Sequence, residues 1–240
     1  MLKERIVSYF HQLKSIFFNS YSATGEDVIV YSLFKSLAKD KINYLDLGTS
    51  SPIFGSNTYL FYKMGNKGVC VEANPLSLEK IKYVRKRDVC LNVAISDKNA
   101  ASVDFHIFDD AGISTLLLDE AKYRESFGSF RVQKTIQIPS IEINTLISSY
   151  FEKYPDFISI DVEGMDLKIL QSLDYDSFPI PVICVETVFY AENYKRSKIS
   201  EIPIFLNSKG YFLYADTFIN SIFVKKDWYD NIPLHNLPKW

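Results

Sequence analysis

Five short hydrophobic runs recur along the chain, separated by mixed sequence. The runs span residues 42–47, 68–72, 90–95, 157–161 and 181–186. Each run is almost continuously apolar and does not alternate, which is typical of parallel strands covered on both faces. Helix-like stretches lie between most of them, at residues 57–64, 76–86 and 163–173. This order predicts an α/β fold with a doubly wound, mostly parallel sheet.

The pattern changes after Gly210, where two strand-like runs follow each other closely. They span residues 211–218 and 220–226. So short a connection predicts an antiparallel hairpin at one edge of the sheet. Two further strand-like pieces occur earlier, at 103–108 and 134–140. The Asp- and Gly-containing stretch between them predicts an insertion or lid over residues 107–135.

The two ends of the chain differ from this central pattern. Apolar residues recur at helical spacing near the start, which predicts an N-terminal helical extension over residues 1–22. This extension either packs on the domain, lies on a membrane surface or contacts a second copy of the chain. A homo-oligomer is therefore one of the expected alternatives. Residues 227–240 form an aromatic C-terminal tail. No apolar run approaches the ~20 residues that a transmembrane helix needs, and no signal peptide is recognisable.

Composition narrows the class of protein. The 240 residues suffice for one sizeable domain, and 47% of them are hydrophobic. A net charge of -2 is not the excess of positive charge that is typical of proteins that bind nucleic acid. Cys70, Cys90 and Cys184 lie in apolar runs, so we expect them to be buried free thiols. Free thiols are typical of proteins in the reducing cytoplasm.

Small and polar residues interrupt the chain directly after the first predicted strand. Asp46 and Gly48 are followed by Thr-Ser-Ser-Pro, and Glu72 closes the second strand. Small residues at such a turn let the backbone approach a ligand, and an acid at the second strand end can accept ribose hydroxyls. The next glycine is Gly55, so the G-x-G-x-x-G repeat of dinucleotide sites is missing. A nucleoside without a pyrophosphate, such as S-adenosylmethionine, suits this turn.

Two stretches of the chain resemble the FkbM-type S-adenosylmethionine-dependent methyltransferases. They are residues 44–75 and 156–174, with weaker resemblance at 20–30 and 92–96. The resemblance extends over roughly residues 20–225. It implies a class I methyltransferase (Rossmann-like) fold with an antiparallel seventh strand, in a domain spanning 23–226. It also implies O-methylation of a sugar, glycan or secondary-metabolite hydroxyl, with surface polysaccharide biosynthesis as a family-level expectation.

The same resemblance implies which residues contact the cofactor. They are Asp46, Gly48, Thr49, Asn57, Thr58, Glu72, Ala73, Asn74, Val93, Ala94 and Asp161. Glu72 would bind the ribose, and Val93 and Ala94 would flank the adenine. Asn57 and Thr58 would hold the amino-acid end, although both are also ordinary helix N-cap residues.

Three carboxylates mark the ends of the fourth and fifth runs. Asp161 and Glu163 follow one, and Glu186 ends the next. Because neighbouring parallel strands lie roughly 4.8 Å apart, these groups are expected to meet in one pocket. They could act as a general base for the acceptor hydroxyl or as ligands for Mg²⁺ or Ca²⁺. The alternative is that Asp161 or Glu163 only caps the next helix.

Two further features are candidates for the chemistry. His106 lies in an alternating strand and is a second candidate base, although a lone strand histidine is more often structural. Residues 189–200 carry tyrosines and basic residues that could line an acceptor pocket and attract the phosphate of a nucleotide sugar.

Two other classes of protein fit parts of the pattern. A nicotinamide-dependent oxidoreductase would also use a strand, a turn and a distal acid, but the glycine spacing disagrees. A non-catalytic nucleoside-binding protein would be expected to have lost residues of the methyltransferase core. Here Asp46, Gly48, Glu72 and Asp161 are all present. A base-modifying N-methyltransferase is disfavoured because no Pro-Pro-aromatic tetrad follows the fourth strand.

Overall fold

The computed structural model describes residues 19–37, 39, 41–126, 128–189 and 197–231. Its strands are β1 Asn43–Leu47, β2 Lys67–Val71, β3 Val89–Leu91, β4 Ala94–Ser96, β5 Ala100–Phe108, β6 Val132–Glu142, β7 Phe157–Ile160, β8 Val182–Glu186, β9 Val188–Phe189, β10 Ser197–Lys198, β11 Tyr211–Asp216 and β12 Asn220–Lys225. Its helices are α1 Glu26–Ser36, α2 Tyr59–Lys63, α3 Pro75–Val84, α4 Leu118–Ser126, α5 Ile143–Tyr150, α6 Asp166–Ser172, α7 Glu201–Ser208 and α8 Lys226–Asp230, with a 3-10 turn at Ala111–Ile113. Most of the predicted N-terminal extension (1–22) and C-terminal tail (227–240) lies outside the described residues.

A seven-stranded sheet forms the centre of the fold, in the order β3-β2-β1-β7-β8-β12-β11. The five strands from β3 to β8 are parallel, whereas β12 is antiparallel to both of its neighbours. The predicted parallel sheet and edge hairpin are therefore confirmed. The antiparallel strand, β12, is the second strand from the edge of the sheet, because β11 pairs with its outer side.

Helices cover both faces of this sheet. On one face, α5, α6 and α7 pack against side chains such as Leu45 and Ile158. On the other face, α1 and α2 pack against Tyr44 and Phe157. Successive strand residues thus enter different cores, which explains why the strands read as continuously hydrophobic. Among the described residues, no helix is long and apolar enough to cross a membrane.

The run at 90–95 was expected to be one strand, and this expectation is wrong. The chain leaves the central sheet after β3 and begins β4 in a separate three-stranded sheet, ordered β4-β6-β5. Asn92 stands at the break, where its side-chain amide donates to the backbone oxygens of Glu72 (2.9 Å) and Ala73 (3.0 Å). These bonds hold the turn against the end of β2. The strands predicted at 103–108 and 134–140 are confirmed as parts of β5 and β6.

A buried carboxylate anchors α1 to the edge hairpin. Glu26 is fully buried and accepts hydrogen bonds from Thr217 Oγ1 (2.6 Å), Asn220 Nδ2 (3.0 Å) and Thr24 N (2.9 Å). Burial alone would raise the pKa of Glu26, but these hydrogen bonds outweigh it and lower the pKa to about 2. The charged form is therefore stabilised in the folded state.

Glu26→Gln is expected to lower the free energy of unfolding by about 2–3 kcal/mol at pH 7. A folded-state pKa below the ordinary 4.5 adds stability above pH 4.5, and this stability is lost as the pH falls towards 2. The difference between wild type and variant in urea unfolding should therefore shrink across that range. Glu152→Gln, at an exposed position, is the control. A difference that does not change with pH would contradict the assignment.

Candidate active site

Three strand ends meet at the turn that follows β1. Gly48 has a φ of +78°, and a Cβ placed on it would lie 1.8 Å from the backbone oxygen of Asp161. Gly48 N also donates to Val71 O (3.0 Å), and Asp161 N donates to Leu47 O (3.0 Å). The glycine is therefore required by the close approach of the chain that leaves β7, as well as by the left-handed backbone.

A cleft opens beyond these strand ends, with a volume of about 490 Å³ including its mouth. It is lined by Gly48, Ser50, Val71, Glu72, Ala73, Val93, Ala94, Ile95, Phe105, Gly112, Ser114, Leu116, Asp161, Val162 and Glu163. Six of the predicted cofactor residues are in this set: Gly48, Glu72, Ala73, Val93, Ala94 and Asp161. The cleft lies where ligands of open α/β sheets bind.

Glu72 is held rigidly in the wall of the cleft. Its two oxygens accept hydrogen bonds from Ser50 N and Asn74 N, each at 2.7 Å. Burial raises the pKa of Glu72 to about 7, although the two backbone bonds oppose the rise. Each oxygen keeps further lone pairs, so the carboxylate can still accept hydroxyl groups from the cleft.

The carboxylates at the ends of β7 and β8 form one acidic cluster, although they do not share one pocket, since Asp161 lines the cleft and Glu186 lines a neighbouring cavity. Oxygens of Asp161, Glu163 and Glu186 all lie within 4.8 Å of one another. Burial, reinforced by the charges of Glu163 and Asp166, raises the pKa of Asp161 well above its ordinary value. Asp161 Oδ1 is also buried without a hydrogen-bond partner among the described residues.

Neither Asp161 nor Glu163 caps α6. The backbone N–H groups of the turn, from Val162 (3.1 Å) and Gly164 (3.2 Å), donate instead to Asp166. The carboxylates of Asp161 and Glu163 are thus left for other roles. Burial raises the pKa of Glu163 to about 7, against the opposing charge of Arg124.

A second cavity lies next to the cleft, with a volume of about 1110 Å³ including its open mouth. It is lined by Ile113, Leu117, Glu120, Arg124, Glu163, Gly164, Asp166, Leu167, Lys168, Glu186, Val188, Ile199, Glu201 and Ile202. Glu163 lines both this cavity and the cleft. Glu163 therefore stands at the junction between the two spaces.

The family described as the methyltransferase FkbM domain matches residues 46–213. The chain belongs to the FkbM methyltransferase family. It is accordingly an S-adenosylmethionine-dependent methyltransferase, as the resemblance of its motifs implied. No curated protein matches the chain at a significant level.

Solved methyltransferases resemble this FkbM chain in overall fold. A TehB-like S-adenosylmethionine-dependent methyltransferase from Corynebacterium glutamicum is 11% identical, over 93% of this chain and 97% of that one, with a TM-score of 0.44. An O-methyltransferase from Bacillus cereus in complex with SAH is 13% identical, over 92% and 87%, with a TM-score of 0.42. A Burkholderia thailandensis 1,6-didemethyltoxoflavin-N1-methyltransferase is 8% identical, over 93% and 85%, with a TM-score of 0.40. Similarity this low indicates no acceptor for the FkbM chain.

Five predicted cofactor residues are not among the described residues that line the cleft of the FkbM domain, and their side chains form hydrogen bonds within the fold. They are Asp46, Thr49, Asn57, Thr58 and Asn74. Asn57 donates to Ser159 Oγ (3.0 Å), and Asn74 caps α3 by accepting from Leu76 N (3.0 Å). Thr58 donates to the buried carboxylate of Asp46. Any contact of these side chains with a cofactor stays a prediction.

Arg85 bonds to two of these residues, Asp46 and Thr58, and no pattern in the sequence predicted it. The side chain is fully buried and donates to Thr58 Oγ1 (2.6 Å). It also forms ion pairs with Asp88 (3.0 Å) and Asp46 (3.5 Å). An arginine in the Lys-Arg-rich stretch 85–87 looks like a solvated charge, so no sequence signal distinguished it from Arg87.

His106 is not brought to the acidic cluster. Its ring Nδ1 lies 3.0 Å from Thr135 Oγ1, and its backbone pairs with Thr115 in both directions. His106 is not among the described residues that line the cleft or the second cavity. This placement agrees with the structural alternative, and a role as base stays an untested prediction.

The predicted Mg²⁺ or Ca²⁺ site fits only in part. Carboxylate oxygens of Asp161, Glu163 and Glu186 are the right donors for a hard cation. However, Glu163 Oε2 already pairs with Arg124 Nη2 at 2.7 Å, and that positive charge opposes a second cation. The ion pair with Arg124 thus disfavours a metal ion at Glu163.

Proposed function

We propose that this methyltransferase methylates a hydroxyl group of a sugar, a glycan or a secondary metabolite, with Glu163 as the proton acceptor. The observation that supports this most is that Glu163 lines both the cleft and the second cavity. One space would hold the cofactor and the other the acceptor. Bound S-adenosylmethionine would supply a methyl group carried on a positively charged sulfur.

The cleft suits this cofactor. Asp161 Oδ1, buried without a partner, is an acceptor that a cationic ligand would satisfy. Glu72 presents a fixed carboxylate for ribose hydroxyls. Ala73, Val93 and Ala94 offer a small, apolar wall for a flat ring. These residues, with Gly48, are the ones proposed to hold S-adenosylmethionine.

Glu163 has the properties expected of a general base. A base is most effective when its pKa lies near the operating pH, and burial brings the pKa of Glu163 to about 7. The acceptor hydroxyl would donate a hydrogen bond to this carboxylate. It would lose its proton to the carboxylate as the C–O bond forms and the methyl–sulfur bond breaks, which leaves a neutral thioether. Asp161 and Glu186 remain the alternative bases within the same cluster.

The second cavity favours an uncharged, hydroxyl-rich acceptor. Its described lining carries five carboxylates (Glu120, Glu163, Asp166, Glu186 and Glu201) and two cations (Arg124 and Lys168). Carboxylates accept hydrogen bonds from sugar hydroxyls but repel phosphate. A nucleotide sugar is therefore the second candidate. Most of the basic segment predicted to attract its phosphate, residues 190–196, lies outside the described residues.

The proposal is tested by a methyl-acceptor screen with radiolabelled S-adenosylmethionine. Neutral sugars, glycans, nucleotide sugars and hydroxylated secondary metabolites are compared, and transfer to a hydroxyl of a neutral acceptor is expected. A role in surface polysaccharide biosynthesis in the cytoplasm would be supported if glycan precursors are the best acceptors. Calorimetric binding of NAD without binding of S-adenosylmethionine would support the oxidoreductase alternative instead.

Glu72→Ala is expected to weaken S-adenosylmethionine binding by about 1.5–3 kcal/mol, or roughly 10- to 150-fold. The reason is the loss of hydrogen bonds between ligand hydroxyls and a charged acceptor. Titration calorimetry measures the change, and Glu79→Ala, on the exposed side of α3, is the matched control. An unchanged affinity in the Glu72 variant would remove this residue from the binding site.

A further inference from the structure

We propose that Arg124 is the positioning residue that holds Glu163 at the junction between the cleft and the second cavity. This inference rests on the proposed function, because it concerns the residue assigned there as proton acceptor. Arg124 belongs to α4, within the insertion between β5 and β6, and no motif in the sequence points to it.

Arg124 is buried, with only 4% of its surface exposed, and it binds three different elements. Its Nη2 lies 2.7 Å from Glu163 Oε2. Its Nε donates to Glu120 Oε1 (2.7 Å), one turn earlier in α4, and its Nη1 donates to Ile113 O (2.9 Å). A planar guanidinium held at three points has almost no freedom, so the carboxylate that it binds is also fixed.

Glu163 needs such a tie because its backbone is unfavourable. Its φ is +53°, in the left-handed region that residues other than glycine seldom adopt. The insertion also binds this backbone, since Thr115 Oγ1 donates to Glu163 O (2.9 Å). Leu117 packs against Gly164, where a Cβ would lie 3.3 Å from Leu117 Cδ1. The insertion thus holds both the backbone and the side chain of Glu163.

Loss of Arg124 would release the carboxylate. The second cavity is open to solvent, so it gives the Glu163 side chain room to change its conformation. Arg124 would therefore act by placement: with it, the Glu163 carboxylate is fixed beside those of Asp161 and Glu186, and without it, the side chain is free to take other conformations.

A pair of ligands reports this placement without an acceptor substrate. S-Adenosylhomocysteine lacks the methyl group that is transferred, and its sulfur is uncharged. Sinefungin carries a positively charged ammonium group where S-adenosylmethionine has its methylated sulfur. Calorimetry gives the preference for sinefungin over S-adenosylhomocysteine. Glu163→Gln calibrates the measurement and should reduce this preference at least tenfold. Arg124→Met should reduce it at least fivefold with the affinity for S-adenosylhomocysteine nearly unchanged, and Arg124→Lys should restore most of it.

Arg87→Met is the matched control, since Arg87 is an exposed arginine bound to the backbone oxygen of Tyr62. It should leave the preference unchanged. Arg124→Gln is expected to behave like Arg124→Met and decides the matter if the methionine variant does not fold. A preference that stays the same or rises without Arg124 would overturn the inference, because a rise means that the arginine acts only as a counter-charge.

The same titrations separate this inference from the proposed function. If wild type binds neither ligand, the proposed function fails and the inference fails with it. If wild type binds both but Glu163→Gln keeps the wild-type preference, the assignment of Glu163 is wrong, and so is the role of Arg124. If only the Arg124 variants keep the preference, the role of Glu163 stands and Arg124 has no positioning role.

Discussion

Glu163→Gln is expected to lower the turnover of methyl transfer by about 10²- to 10⁴-fold, the range for general acid–base groups. The substitution keeps the shape of the side chain and removes its ability to take a proton. Affinity for S-adenosylhomocysteine should change less than about threefold, since the turn that carries residue 163 is also held by Thr115 and Asp166. Turnover is measured by transfer of a labelled methyl group to the acceptor found in the screen.

The pH dependence of turnover gives a second test of Glu163. Burial raises the pKa of Glu163 to about 7, so the group is protonated and inactive as a base below that pH. Wild-type turnover should rise with pH through about 7 and then level off. The Glu163→Gln variant should not show this rise of turnover with pH. A variant that still shows the rise would contradict the role of Glu163.

Asp161→Asn is the informative comparison within the acidic cluster. Burial raises the pKa of Asp161 well above its ordinary value. Asp161 also lines only the cleft, whereas Glu163 lines the second cavity as well. Replacement of Asp161 should lower turnover far less than Glu163→Gln does. A larger loss in the Asp161 variant would transfer the role of base to Asp161.

A chelator decides between a base and a metal ion. If Glu163 acts as a base, EDTA should leave turnover unchanged, because no ion is involved in the proton transfer. Loss of turnover with EDTA, restored by Mg²⁺ or Ca²⁺, would support the alternative in which Asp161, Glu163 and Glu186 bind a cation.

Arg85→Met is expected to lower the free energy of unfolding by about 3–5 kcal/mol, the scale for removing one partner of a buried ion pair. Arg85 is fully buried between the carboxylates of Asp46 and Asp88, and it binds Thr58. Burial raises the pKa of Asp46, and the charge of Arg85 opposes that rise. Without the arginine, two carboxylates stay buried without their cation.

Urea unfolding followed by circular dichroism measures this change. Arg87→Met provides the matched control and should alter stability by less than about 1 kcal/mol, as expected for an exposed arginine. Arg85→Lys, which keeps the charge but loses the planar fork, should fall between the two. A loss below about 1 kcal/mol in Arg85→Met would show that these ion pairs do not stabilise the fold.

The strand runs show what local sequence predicts well. Residues 42–47 are continuously hydrophobic because alternate side chains enter two different cores, with Leu45 in one and Tyr44 in the other. The same condition holds for β7 and β8, so the parallel sheet was predicted from hydrophobicity alone. The edge hairpin was predicted because only a few residues separate its two runs.

The run at 90–95 shows where this reasoning fails. Its hydrophobicity is continuous, yet the chain changes sheets within it. The break depends on the amide of Asn92, which bonds to backbone oxygens of Glu72 and Ala73, some twenty residues earlier. A pattern within one segment contains no information about a bond to another.

The sequence by itself determined the family, the parallel sheet and the acids at its strand ends, because strand periodicity and motif spacing are local properties. Only the tertiary structure decided which acids act together and what holds them. Glu163 lies at the junction of two cavities, where the segment between β5 and β6 contacts the turn at 161–164 through Thr115 and Arg124. Arg124 and Arg85 look in the sequence like ordinary surface charges. Their burial and their ion pairs arise from the packing of segments distant along the chain, which no local pattern records.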